Sequence, residues 1–482
     1  MSVQGPVTGG QHGWAFNRPL IDLTRKGYVE EEFFLTGEAT TYALAPGAAS
    51  TRDGRWRVLP KDKAPFKTRF LVYRPADPAR FNGTVVVCWN NVTAGYELFF
   101  GESPLVLEEG YAYVCASVQR VGVHGFAETP QGLAAWDAER YGDLSIPTDD
   151  ASYDIFSKVA RAVGPARGRT VDPLGGLVVK KVIGLGASQS AGRLGAYINA
   201  VHPLAPDQGG HAFDGYMLQI YFGSGAAIEA SDRLHNPTTT NVRLPQGQNL
   251  IRDDLDVPVM IVNTELEAKA CLSVRQPDTD RFRTWEAAAL THVSYQAQLT
   301  RNEKFKRDFG VKPAPPSEEM NRIYLQPLYD AALHHLNRWV NDGAAPPTQP
   351  LIDFAADGQV ERDRHGIATG GIRLPQADAP VAMNSSTPVS DDFAGRLRGS
   401  NKPFDAIELD ALYGDEAGYL ARFAQAAAAA VHAGVMMSRD VEPAVAEAAR
   451  EYRRARGIEA PEAAPAGSAL AAKRQAPTNR AD

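Results

Sequence analysis

Apolar residues recur along this chain in short, β-branched runs. TRFLVY begins at Thr68, TVVVCW at Thr84, YAYVCASV at Tyr111, LVVKKVIGLG at Leu177, GYMLQIYF at Gly215 and VPVMIVN at Val257. Several leave no polar face, as strands covered on both sides of a sheet do. Between them the spacing changes to three and four residues, in SYDIFSKVARAV from Ser152 and GRLGAYINAV from Gly192. Alternating strands and helices predict a mostly parallel central sheet flanked by helices, an α/β fold. The first half of RFRTWEAAALT, from Arg281, reads as a last short strand.

Beyond Val293 the pattern is helical. IYLQPLYDAALHHLNRWV from Ile323 is stopped by NDGAAPP, and the alanine-rich YLARFAQAAAAAVHAGV from Tyr419 has high helix propensity and is expected to pack on the core. Alanine and proline dominate residues 457–482, which read as a mobile tail.

Composition narrows the functions. The chain has 482 residues, 44% apolar and 22% charged, and a net charge of −7. It can bury a large core, and no basic cluster with interleaved aromatics points to nucleic acid. Three cysteines at wide spacings, Cys88, Cys115 and Cys271, suit free thiols in a reducing compartment better than a disulfide framework. The first 20 residues lack a signal-peptide pattern, and no run approaches the roughly 18 apolar residues of a membrane span. A cytoplasmic protein is expected.

The chemistry centres on GLGASQSAGRL, Gly184 to Leu194. A serine becomes a nucleophile when a base held by a third group removes its proton, and one fold presents that serine on a sharp strand-to-helix turn with the signature G-x-S-x-G. Two frames compete. Gly186-Ala187-Ser188-Gln189-Ser190 lacks the last glycine; Ser188-Gln189-Ser190-Ala191-Gly192 lacks the first. The strand leads directly into Ser188 and the helix can start at Gln189, so Ser188 is favoured, while Ser190 would stand about half a turn inside the helix. A dinucleotide loop competes more weakly: Gly184 and Gly186 begin its fingerprint, but Gln189 stands where its third glycine belongs, and Asp207 is poorly placed for the acidic residue.

The partners follow in the order serine, acid, histidine. After VPVMIVN the chain offers Glu265 and Glu267; Glu267 is preferred because two more residues carry it clear of the strand into the loop, with Glu265 kept as the alternative. Of ten histidines, His292, His334, His335, His365 and His432 lie beyond the acid. His334 and His335 fall inside a helix, His365 in a polar turn and His432 in the alanine-rich helix. His292, following the last strand, is chosen as the base. Developing oxyanion charge needs donors in place. These are expected from the backbone N–H of Gln189, at the helix N-terminus, and from Asn91 in the loop NNVTAG.

These stretches, with GYVEEEFFLTGEA, WNNVTAG, RTWEAAALTHVSY and RDRHGIATGGIRLP, resemble the family of α/β-hydrolase domain proteins, within the serine esterase and lipase superfamily. The resemblance runs from about residue 20 to about residue 450. It implies an α/β-hydrolase fold in one elaborated domain over residues 1–456. Cap or lid segments are expected near 223–255 and 293–322, with a helical C-terminal extension over about 350–456. Its G-x-S-Q-S elbow falls on Gly186, Ser188, Gln189 and Ser190, its histidine on His292 and its loop asparagine on Asn91. The departure is at the acid: the family pattern T-E-x-D meets Thr264-Glu265-Leu266-Glu267. The implied activity is hydrolysis of a small-molecule carboxylic ester through an acyl-enzyme, with no metal or organic cofactor. An acyltransferase using the same triad and a non-catalytic binding protein of the same fold are the alternatives.

Overall fold

The computed structural model describes residues 1–98, 103–168, 170–204, 209–229 and 246–458. Asp207, much of the segment 223–255 and residues 459–482 of the tail lie outside the described residues. The main sheet has nine strands: β1 Ser2–Gln4, β2 Tyr28–Leu44, β3 Val58–Pro75, β4 Thr84–Trp89, β5 Ala112–Ala116, β6 Lys181–Ala187, β7 Gly215–Gln219, β8 Val259–Thr264 and β9 Phe282–Ala287. Their spatial order is β1-β2-β3-β5-β4-β6-β7-β8-β9. From β5 to β9 all neighbours are parallel, whereas β1, β2 and β3 pair antiparallel at one edge.

β4 matches the TVVVCW run residue for residue, and its alternation explains why the run is apolar throughout. Val85, Val87 and Trp89 enter the core on one face of the sheet, Val86 and Cys88 the core on the other. The strand read from Leu177 begins only at Lys181. SYDIFSKVARAV forms the helix Ser152–Val163 as predicted. All three cysteines are buried and free. Burial pushes the Cys88 thiol up to about 12 and raises those of Cys115 and Cys271 well above the usual thiol range, so none is a thiolate at neutral pH.

β2 is a long strand that the hydrophobic pattern misses. Glu30, Glu31 and Glu32 interrupt its apolar character, yet each has a cationic partner: Arg18 at 3.3 Å from Glu30, Arg74 at 2.7 Å from Glu31, and Arg69 and Arg140 at 2.8 and 2.7 Å from Glu32. Arg69 also holds Glu97 at 2.6 Å in the same buried cluster. Removing one partner of such a pair typically costs about 3–5 kcal/mol.

The C-terminal region closes the other face. The helix Gln326–Asp342 buries Leu328, Ala332, Leu336 and Trp339, and the alanine-rich helix Glu416–His432 places Ala427 and Ala430 in the same core. Tyr419 and Phe423 pack instead with Leu409 and Tyr452 in a smaller cluster. No helix among the described residues is long and apolar enough to cross a membrane.

β4 and β6 are neighbours, and the chain leaves β4 for β5 on one side and β6 for β7 on the other. In an open parallel sheet the crevice beyond the strand ends at such a switch is the natural ligand site. The loop after β4 carries Asn91, and the turn after β6 carries Ser188.

Candidate active site

β6 ends at Ala187 and the helix Gln189–Ala196 begins two residues later, leaving Ser188 alone at the turn. Its backbone has φ 59° and ψ −119°, a conformation costing a non-glycine residue about 1–3 kcal/mol. Neighbours hold it there. Ser188 N–H donates to Gln219 O on β7 at 2.9 Å, and Gly192 N–H donates to Ser188 O at 3.1 Å. Gly186 must be glycine, because a Cβ there would sit 2.6 Å from Ser190 O. Ser190 is fully buried, and its hydroxyl closes a local ring, donating to Ala187 O and accepting from Ala187 N–H, both at 2.9 Å. That hydroxyl is committed to the turn.

The two candidate carboxylates have different surroundings. Glu267 Oε1 accepts from His292 Nδ1 at 2.7 Å, and Oε2 accepts from Thr264 N–H at 3.1 Å and from the Thr264 hydroxyl. Glu265, two residues earlier, makes no hydrogen bond to the imidazole. It accepts from Arg362, from the Ser386 hydroxyl at 2.9 Å and N–H at 3.2 Å, and from Ala289 N–H at 3.2 Å. Ala289 has φ 65°, so Glu265 helps to fix the strained turn that leads to His292.

Glu267 does not stand in a loop, as the sequence suggested. It occupies the third position of the helix Glu265–Cys271, whose N-cap is Thr264. Thr264-x-x-Glu267 is a capping box: Thr264 Oγ1 accepts from Leu266 N–H at 3.3 Å, and Glu267 reaches back to Thr264 N–H. The cap aims one carboxylate oxygen at the helix end and leaves the other for the imidazole. His292 is 7% exposed, and Phe222 stacks on it with ring centroids 5.4 Å apart. The Ser188 hydroxyl and His292 make no hydrogen bond to each other in this structure.

The Asn91 side chain is occupied: Nδ2 donates to Ala187 O at 3.1 Å and Oδ1 accepts from Thr93 N–H at 2.9 Å. Its backbone forms an antiparallel bridge with Leu98, whose N–H donates to Asn91 O at 2.7 Å, so only the Asn91 N–H could serve an oxyanion, and only if it turned from Leu98. The first N–H groups of a helix have no intrahelical acceptor, which leaves that of Gln189 available. Gln189 also ties the site together. Its Oε1 accepts from Val92 N–H at 3.4 Å and its Nε2 donates to Gln119 Oε1 at 3.0 Å. Gln119 accepts in turn from Trp89 Nε1 at 3.0 Å and donates to Asp149 at 3.1 Å, which Arg193 of the elbow helix holds at 3.0 Å.

Sequence reasoning missed Thr264, Phe222, Gln119, Asp149 and Arg193. Thr264 had a legible signal in its T-x-x-E spacing; the others meet the site only through long-range folding. Of the remaining histidines, His334 pairs with Glu109 at 2.9 Å, His335 with Gly434 O at 2.9 Å and His365 with Glu408 at 2.8 Å, all away from Ser188.

Comparison with known proteins agrees with this topology. A family model described as "Alpha/beta hydrolase domain" matches residues 3–446. No curated protein matches the chain. Similar solved structures include esterase Est22, at 12% identity and TM-score 0.23 over 48% of this chain and 64% of that one. Another is brefeldin A esterase, a bacterial homologue of human hormone sensitive lipase, at 14% identity and TM-score 0.24 over 52% of this chain and 68% of that one. Oligopeptidase B from Leishmania major matches at 11% identity and TM-score 0.27 over 54% of this chain and 33% of that one. The chain spans about a third of the length of the peptidases it matches and about two thirds of these esterases.

Proposed function

The chain belongs to the alpha/beta hydrolase domain family, and on that footing we propose that it is a serine hydrolase that cleaves a carboxylic ester through an acyl-enzyme. Ser188 Oγ attacks the carbonyl carbon while His292 Nε2 takes the hydroxyl proton. The same nitrogen returns the proton to the departing alkoxide, then activates the water that releases the acid. Glu267 holds the imidazole in the tautomer with its proton on Nδ1 and stabilises the cation that forms. The backbone N–H groups of Gln189 and Asn91 donate to the oxyanion, and losing one such donor typically costs about 10²–10³ in rate.

The observation that carries this reading is the backbone of Ser188. A non-glycine residue is kept in a strained conformation, at the one point where β6 turns into a helix, by a glycine that cannot be replaced and a serine bonded around it. Strain of this kind persists where the surroundings over-determine it, and nucleophile elbows are such places. The imidazole bonded to a buried carboxylate supplies the base. The mechanism requires a Ser188–His292 hydrogen bond with substrate bound, and such bonds are commonly long in free enzymes.

Labelling with a fluorophosphonate and mapping the modified peptide tests the assignment. Label is expected on Ser188, with loss of labelling and hydrolysis in Ser188→Ala and retention of both in Ser190→Ala at reduced stability. Label on Ser190, or full hydrolysis by Ser188→Ala, would overturn it. A panel of short-chain, aryl and acetylated-sugar esters then identifies the acyl and leaving groups.

A further inference from the structure

A second cluster of chemically capable side chains lies at the other end of the parallel strands. His202 follows the helical segment that begins after Ser188, His211 precedes β7, and Asp256 precedes β8. His202 Nε2 lies 3.2 Å from Asp256 Oδ1 and His211 Nε2 lies 2.8 Å from Asp256 Oδ2. One ligand atom from each residue falls within 4.8 Å of the others. We propose that His202, His211 and Asp256 form a binding site for a divalent transition-metal ion of the zinc class, held by two imidazole nitrogens and one carboxylate oxygen.

The spacing is that of a ligand set. Metal–ligand bonds of about 2.0–2.1 Å in tetrahedral array place neighbouring donor atoms roughly 3.3 Å apart. The observed 3.2 and 2.8 Å run to different oxygens of Asp256, and one donor atom from each residue already lies within 4.8 Å of the others, so a shared cation requires a shift of about an ångström in the exposed side chains. The imidazole rings lie face to face, centroids 4.3 Å apart and 16° from parallel, so both present Nε2 to the same carboxylate. His211, on the exposed side, tips out of the stack to turn its lone pair onto a shared cation. His202 stays fixed: it is 4% exposed, and its Nδ1 lies 2.8 Å from the Tyr216 hydroxyl on β7. A cation on Nε2 leaves the proton on Nδ1, where Tyr216 Oη accepts it. Such an outer partner commonly sets the tautomer and orientation of a metal-bound histidine.

Donor chemistry selects the ion. Two imidazoles and one carboxylate suit zinc and its transition-metal neighbours, whereas magnesium and calcium prefer all-oxygen shells. Water can complete the shell, because the Asp256 side chain is 63% exposed. An isolated exposed ion pair contributes about 0–1 kcal/mol and requires neither a second imidazole nor a buried, anchored one. A bound cation would staple three separate chain segments: the end of the elbow helix and the starts of β7 and β8.

The test uses the full chain, freed of metal with a chelator that is then removed, and titrated with Zn²⁺, Co²⁺ and Mg²⁺. Calorimetry and elemental analysis should give one Zn²⁺ per chain, and Co²⁺ should produce the intense visible absorption of a low-coordinate nitrogen and oxygen site. Zn²⁺ should raise the thermal midpoint, and Mg²⁺ should not. His211→Ala and Asp256→Asn each should weaken zinc binding at least tenfold and abolish the midpoint shift, while circular dichroism reports whether they remain folded. Absence of stoichiometric zinc binding would overturn the proposal. So would equal binding by the folded variants, which would assign the metal to other imidazoles.

Discussion

β8 has an imidazole–carboxylate contact at each end, and the two differ in almost every physical respect. Before the strand, Asp256 is mostly exposed and each of its oxygens faces a different histidine. After the strand, Glu267 is fully buried, one oxygen facing His292 and the other taken by Thr264. A carboxylate that accepts from three donors in a dry setting is held in orientation and has little lone-pair capacity for a cation. An exposed carboxylate between two ring nitrogens keeps that capacity. On the roles proposed above, a histidine–carboxylate contact serves proton traffic at one end and metal binding at the other, with burial and the count of donors setting the difference.

The comparison can be broken most forcefully at Glu267. Glu267→Gln removes the charge that stabilises the imidazolium and is expected to lower kcat by about 10⁴, by analogy with other triad acids. Steady-state kinetics on an activated aryl ester measures this. Glu265→Gln tests whether the neighbouring carboxylate is only structural. It weakens charged hydrogen bonds to Arg362 and Ser386, so chemical denaturation should show a loss of about 2 kcal/mol with kcat kept within tenfold. A fall in kcat to the level of Glu267→Gln would reverse the two roles.

Thr264→Val sharpens the contrast further. It removes the cap and one of the donors that orient Glu267, for about 1 kcal/mol of stability and a loss in kcat of about tenfold at little change in KM. An unchanged kcat would mean that His292 alone orients the acid. The smallest effect belongs to the other end of β8. In metal-free buffer Asp256→Asn should change stability by less than about 1 kcal/mol, because ion pairs with an exposed carboxylate contribute little. A larger loss on denaturation would show that the cluster stabilises the fold without a metal.

How much of this was legible depended on whether a residue's environment is local. The β4 run could be read to the residue, because both of its faces are buried and no polar position interrupts it. Ser188 was legible for a similar reason: a strand and a helix meet there, and the meeting point is a matter of element lengths. β2 was hidden because its glutamates are neutralised by arginines from β3 and more distant segments, a tertiary override of strand propensity. Between Glu265 and Glu267 the run favoured Glu267 as a loop residue, whereas it lies in the helix Glu265–Cys271. The distinction depends on Arg362 and Ser386, about a hundred residues downstream, claiming the first. The T-x-x-E spacing did contain the cap, and with it the direction of the Glu267 side chain.

The chain that leaves Ser188 is α-helical to Ala196 and then widens to a π turn over Tyr197–Val201 before reaching His202. A π turn holds one residue more than the α-helix needs, so it works as a vernier between the two ends of the rod. Deleting one residue within it would restore regular α geometry and leave both ends in nearly their present orientation, because the wide turn absorbs the extra residue. A deletion within the α-helical part Gln189–Ala196, by contrast, would turn His202 by about 100° away from Tyr216 and Asp256. The five residues of the π turn thus hold the slack that lets Ser188 and His202 keep their separate settings at the two ends of one segment.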